Sequence, residues 1–112
     1  LGVVKRHRND DFLISCNLDG FSLAMDFSVK DRNRARLSSL LAKLDEIVLD
    51  AGGRFYFAKD STLKPEATRS FLGPKTISRL VELKVVCDPN KMLQSNLSRR
   101  ILPELHGCQV DK

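Results

Sequence analysis

The sequence predicts an α+β fold: an amphipathic sheet, amphipathic helices and a helical C-terminal tail. Three observations carry that expectation. Residues 21–29 alternate apolar with small or polar side chains. Residues 37–51 place apolar side chains on one helical stripe. The second half is punctuated by Pro65, Gly73-Pro74 and Pro89, which suit helix starts and stops.

The first seven residues have β-type content and run into the polar turn Arg8-Asn9-Asp10-Asp11. Phe12-Leu13-Ile14 is predicted as a short strand, and Asn17-Leu18-Asp19-Gly20 as a turn. The clearest strand is 21–29. Phe21, Leu23, Met25, Phe27 and Val29 share one face, assigned to the core, while Ser22, Ala24, Asp26 and Ser28 share the other. That second face is either a solvent face or the floor of a cavity.

A long helix is expected from Asp31 to Ala51, with Asp31 as N-cap and Gly52 at the left-handed position that ends it. Its early arginines, Arg32, Arg34 and Arg36, oppose the helix dipole. Arg54-Phe55-Tyr56-Phe57-Ala58 is predicted as a second strand, closing a β-α-β unit over 21–59. Short helices are expected from Pro65 to Leu72, from Pro74 to Val86 and from Met92 to Leu102, with a frayed end over 106–112.

Composition narrows the function. Nineteen basic against 14 acidic residues give a net charge of +5. The excess is spread along the chain, whereas a nucleic-acid footprint concentrates on one face. No nucleic-acid partner is therefore expected. Three cysteines, Cys16, Cys87 and Cys108, form no metal-ligand spacing. A reducing, cytoplasmic setting fits them. The chain opens on Leu1, so it is expected to be a piece of a larger protein. A lysine at a strand end, Lys59, is either paired with Asp60 or solvent, or points a positive charge into a site. Tyr56 and Lys59 reach one site only if the strand ends near Ala58.

Four segments in order resemble one family: Leu1-Gly2-Val3-Val4-Lys5-Arg6, the run from Gly20 to Phe27, Gly52-Gly53-Arg54-Phe55-Tyr56-Phe57-Ala58-Lys59-Asp60-Ser61, and the run from Asp88 to Arg100. Together they resemble the C-terminal part of FAD-linked oxidoreductases of the vanillyl-alcohol oxidase superfamily. The resemblance implies an antiparallel sheet covered by helices on one face. Residues 1–87 would be the C-terminal part of a substrate (cap) domain. Residues 88–112 would be a tail returning towards an FAD-binding domain outside this chain.

The implied reaction moves hydride from an alcohol carbon, of a sugar or polyprenyl-phospho-sugar, to FAD. Membrane association of the parent protein stays open. The implied partners are the N-terminal FAD-binding domain of the same protein and that substrate. The fragment is also expected to expose a sheet face on which it could form a homodimer. Residue by residue, the resemblance places Lys59, Tyr56, Lys5, Asp26, Ser22 and Ala24 near flavin or substrate, with Asp26 able to pair with Lys59 or Tyr56. Relatives carry Asn and Cys where this chain has Ser22 and Ala24, and an aromatic residue where it has His7. The pocket should therefore be roomier and less polar. A stand-alone α+β ligand-binding or interaction module is the alternative.

Overall fold

A computed structural model of the chain describes residues 2–107. Leu1, Cys108 and the rest of the expected frayed end lie outside them. The elements are β1 (Gly2–His7), β2 (Gly20–Met25), α1 (Arg34–Asp50), α2 (Pro65–Cys87) and α3 (Asn96–Ile101). Tight 3-10 turns span Asp31–Asn33, Phe57–Lys59 and Pro103–His106. The class is α+β, with an antiparallel sheet and a helical C-terminal part. The described residues form two compact units that part between Tyr56 and Phe57.

In the first unit β1 and β2 pair antiparallel, from Gly2 opposite Met25 to His7 opposite Gly20. The loop between them is folded around one carboxylate. Asp10 accepts hydrogen bonds from the Phe12 amide at 3.1 Å, the Ser15 hydroxyl at 2.9 Å and the Asn17 side-chain amide at 2.8 Å. The Ser15 amide donates back to the Phe12 carbonyl at 3.1 Å. Residues 12–14, predicted as a strand, are therefore drawn into a turn. A nearby carboxylate has satisfied a backbone donor that a ladder would need.

The long helix begins later than expected. Asp31–Asn33 form a 3-10 turn, and Asn33, not Asp31, is the N-cap of α1. The Asn33 side chain accepts from the Lys30 amide at 2.8 Å and donates to the Ser28 carbonyl at 2.9 Å, fixing the entry to the helix. The exit is as predicted. Gly52 has φ 69°. Its amide donates to Leu49 at 2.9 Å and that of Gly53 to Val48 at 2.8 Å, the paired bonds of a Schellman end.

Two expectations for this unit are corrected. The apolar side of strand 21–29 is not core: Phe21 is 75% and Leu23 57% exposed, and β2 ends at Met25. Two strands alone lack the area to bury a face. Residues 54–58 form no strand, so the β-α-β unit does not close. The Arg54 guanidinium instead donates to the Ser15 carbonyl at 3.0 Å, and the chain turns at Phe57–Lys59.

The second unit holds every buried apolar side chain among the described residues: Leu63, Leu72, Ile101 and Leu102. α2 is two helical arms joined across Gly73, whose φ 77° and ψ 161° are non-helical, with Pro74 restarting the helix. The break is the one that Gly73-Pro74 predicts. Phe57 and Phe71 stack tilted, with centroids 5.6 Å apart. The turn before α2 is pinned by Arg100, which donates to the Leu63 carbonyl at 2.6 Å and to the Asp60 carboxylate at 2.9 Å. Asp60 also accepts from the Leu63 amide at 3.1 Å.

The last helix is shorter than predicted. Asp88 accepts from the Met92 amide at 2.7 Å and the Leu93 amide at 2.9 Å, and Lys91 takes φ 53°. Residues 88–93 are thereby wound into a loop. Helix α3 waits for Ser95, whose hydroxyl caps the Ser98 amide at 3.0 Å.

Candidate functional site

Cross-strand partners share a face of an antiparallel pair. Lys5 lies opposite Ser22, and Val3 opposite Ala24. One face of the sheet therefore carries Val3, Lys5 and His7 from β1 with Ser22 and Ala24 from β2. Three of the predicted site residues, Lys5, Ser22 and Ala24, are brought together there. His7 joins them: its Nε2 lies 2.7 Å from Ser22 Oγ. An ammonium, a hydroxyl and an imidazole thus sit over small neighbours. Such a face can bind a hydroxylated or anionic ligand.

The opposite face carries Val4, Arg6, Phe21 and Leu23. Arg6 pairs with Asp19 and lies 5.5 Å from the Phe21 ring centroid. Its charge is thereby committed to the sheet's own edge.

The other predicted residues stand apart. Asp26 follows the end of β2, is exposed, and enters no ion pair among the described residues of its unit. Tyr56 is 59% exposed at the end of the first unit. Lys59 closes the 3-10 turn Phe57–Lys59 in the second unit and is exposed. With no strand at 54–58, the parity argument for Tyr56 and Lys59 has no strand to act on. Asp60 pairs with Arg100, and Lys59, exposed, enters no ion pair among the described residues.

Sequence reasoning treated His7 only as a departure from the family pattern. Its parity with Lys5 on β1 was the available signal. It also missed a polar cluster in the second unit. Lys84 pairs with Asp88 and donates to the Leu93 carbonyl. The Lys84 hydrogen bond, followed by those of the Leu93 and Met92 amides, holds the Asp88 carboxyl below its ordinary value. Nearby, His106 Nε2 lies 3.0 Å from Ser98 Oγ, while its Nδ1 is buried with no partner among the described residues. Burial, then the charges of Lys84, Arg99 and Lys91, lower the His106 pKa. Among the described residues no group of His, Cys, Asp and Glu could hold a metal. No helix among them is long and apolar enough to cross a membrane.

No family model matches the chain. Over 88 residues it is 31% identical to the decaprenylphosphoryl-β-D-ribose oxidase of Mycolicibacterium smegmatis, which covers 79% of this chain and 18% of that protein. Over 65 residues it is 37% identical to an uncharacterized protein from the mprA 5′ region of Streptomyces coelicolor, covering 58% of this chain and 17% of that one. The chain spans less than a fifth of the length of these curated relatives. A distant relative is thus an oxidase, which supports an oxidoreductase kind.

Proposed function

We propose that this chain is the C-terminal part of an FAD-dependent oxidoreductase that oxidises an alcohol carbon of a sugar or polyprenyl-phospho-sugar. The observation that carries the proposal is the 88-residue similarity to an oxidase of a polyprenylphosphoryl ribose. It is supported by the Lys5, His7 and Ser22 face, whose groups suit sugar hydroxyls and a phosphate.

The residues present fit a flavin and an anionic substrate. Lys5 and Lys59 are exposed ammonium groups with no ion pair among the described residues. Each is available to a negative charge that the fold itself does not neutralise. FAD, when bound, supplies a hydride acceptor for the carbinol C–H.

The chain's own residues position and balance charge. Lys59 offers a cation to negative charge developing on the cofactor side. Lys5 does the same for substrate phosphate. Ser22 and His7 hydrogen-bond sugar hydroxyls, with Ala24 leaving room beside them. The Tyr56 phenol donates to a substrate or cofactor oxygen. The Asp26 carboxylate orders such donors by accepting from them. The FAD-binding domain is proposed to precede these residues in the same polypeptide.

The test is spectroscopic. The purified whole polypeptide should show the yellow absorbance of oxidised flavin. That absorbance should bleach anaerobically on addition of a polyprenylphosphoryl pentose. A colourless polypeptide, or a flavin that no sugar alcohol reduces, overturns the reading.

A further inference from the structure

We infer that Ser22 and His7 form a proton relay, in which the Ser22 hydroxyl accepts the proton of the alcohol being oxidised and passes its own to His7 Nε2. The inference rests on the proposed function and deepens it by assigning the group that takes the proton. Its own support lies in the sheet. His7 Nε2 and Ser22 Oγ are 2.7 Å apart, within reach for direct transfer.

Register explains why the two meet. The residue opposite His7 is Gly20, and a Cβ there would meet nothing within 4 Å. No side chain stands across from the imidazole, which reaches its diagonal neighbour Ser22 instead. Lys5 lies opposite Ser22, and Ala24 follows on the same face. The hydroxyl is thus flanked by a cation and a methyl group. Among the described residues its hydrogen-bond partner is His7.

Chemistry then singles out the imidazole. In the proposed reaction the carbinol C–H pair leaves as hydride to the flavin. The O–H bond must also break, so that its electron pair becomes the second C–O bond of the carbonyl. That proton enters Ser22 Oγ, the proton of Ser22 enters His7 Nε2, and the hydroxyl is regenerated. Lys5 cannot do this, because an ammonium has no lone pair. Asp26 follows β2, four residues beyond Ser22, or about 13 Å along extended chain. Imidazole gains and loses a proton in the neutral range and suits the task. The relay also keeps every hydrogen bond matched. While His7 accepts from Ser22, Ser22 accepts from the alcohol. After transfer His7 donates to Ser22, and Ser22 donates to the carbonyl, which can only accept.

Two measurements on the whole polypeptide test the relay. Long-range nitrogen–proton correlation spectra report which ring nitrogen carries the proton, and they are read on the unaltered protein without turnover. Neutral His7 should hold its proton on Nδ1 and leave Nε2 bare. A proton on Nε2 overturns the relay.

The second measurement is anaerobic flavin reduction by a polyprenylphosphoryl pentose in stopped flow. Glutamine can still hydrogen-bond Ser22 but cannot take a proton. His7→Gln should therefore slow reduction roughly a hundredfold while changing substrate Kd no more than about twofold. Ser22→Ala should be as slow, and Ser22→Thr should return to within about fivefold of the wild type. Both changes together should be no slower than either alone, because a relay acts as a unit. The charged groups around His7 are Lys5 on its own face, the Arg6–Asp19 pair on the other, and Arg8 and Asp10 in the loop that follows. In that setting the wild-type rate should fall on acidification, since protonated His7 has no lone pair to offer, and His7→Gln should lose this fall.

A flavin reduced as fast in His7→Gln as in the wild type overturns the relay alone. So does a loss confined to substrate binding, which would leave the pair a mere hydroxyl contact. A colourless polypeptide overturns the oxidase reading and the relay with it.

Discussion

At the scale of single residues, two cations of similar appearance in the sequence do different work. Arg100 is structural. Its fork holds the Leu63 carbonyl and the Asp60 carboxylate, the latter only 13% exposed, against the only apolar core among the described residues. Arg100→Ala strips donors from both acceptors at once. It should lower unfolding free energy by about 2 kcal/mol, a hydrogen-bonded charge discounted for partial exposure. Urea denaturation checks this. Arg100→Lys should recover less than half, because an ammonium cannot span both acceptors as a fork does. Lys59 is the converse. It is exposed and holds nothing in its own unit, so Lys59→Met should leave the urea midpoint unchanged. Under the proposed function, the same change should slow flavin reduction by substrate roughly a hundredfold, the scale of losing one preorganised electrostatic contact. Stopped-flow reduction of the whole polypeptide measures it. A midpoint shift without a rate effect would reassign Lys59 to structure.

At the scale of elements, the breaks were more legible than the strands. Gly73-Pro74 predicted an interruption, and the structure has Gly73 at φ 77° and ψ 161°, a region closed to residues with a Cβ. A Cβ there would meet nothing within 4 Å, so the cost of Gly73→Ala is backbone strain and not a clash. It should destabilise by about 1–3 kcal/mol. Pro74→Ala should cost much less, since Pro74 only restarts a helix that alanine would also start. Comparing the two in thermal denaturation isolates the strain. Gly52 was legible for the same reason. The failures share one physical cause. At 12–14 and at 92–95 the apolar pattern suited a strand and a helix, but Asp10 and Asp88 took the backbone amides first. A carboxylate placed to capture amides two to five residues ahead overrides propensity, and no periodicity reveals it. The strand expected at 54–58 gave way to the Arg54 bond to the Ser15 carbonyl and to the tight turn Phe57–Lys59. In the site, parity along β2 put Ser22 and Ala24 on one face, and the register of β1 adds Lys5 to it. Parity along β1 put His7 with Lys5 and was not used.

At the scale of the whole molecule, burial is unequal. The first unit has no buried side chain among its described residues, whereas the second gathers Leu63, Thr68, Leu72, Ile101 and Leu102. The two acid-sensitive groups of the second unit, Asp88 and His106, flank that core, and both have lowered pKa values. The consequences for stability have the same sign. His106 is held neutral by burial and by Lys84 of α2, Lys91 of the following loop and Arg99 of α3, which outweigh the opposing Asp88. The unfolded chain therefore binds a proton that the folded one refuses. Stability from this source is complete above the ordinary histidine value of 6.5 and is lost as pH falls below it, towards the lowered folded value. Asp88 acts lower down. Its carboxylate is favoured in the fold, so its contribution is complete above 3.8 and is lost as pH falls further. The second unit should therefore weaken on acidification in two separate windows. His106→Gln removes only the upper one, so the urea midpoint of the variant should stay flat from about pH 7 to about pH 5, where the wild type declines. Amide hydrogen exchange assigns the decline to a unit. Protection at Leu63, Leu72 and Ile101 should fall with pH in the wild type beyond the intrinsic pH dependence of exchange, and hold in the variant. The β1–β2 amides, with no core above them, should exchange faster than these at every pH. Equal protection in sheet and core would show that the apolar face of Phe21 and Leu23 is covered in solution.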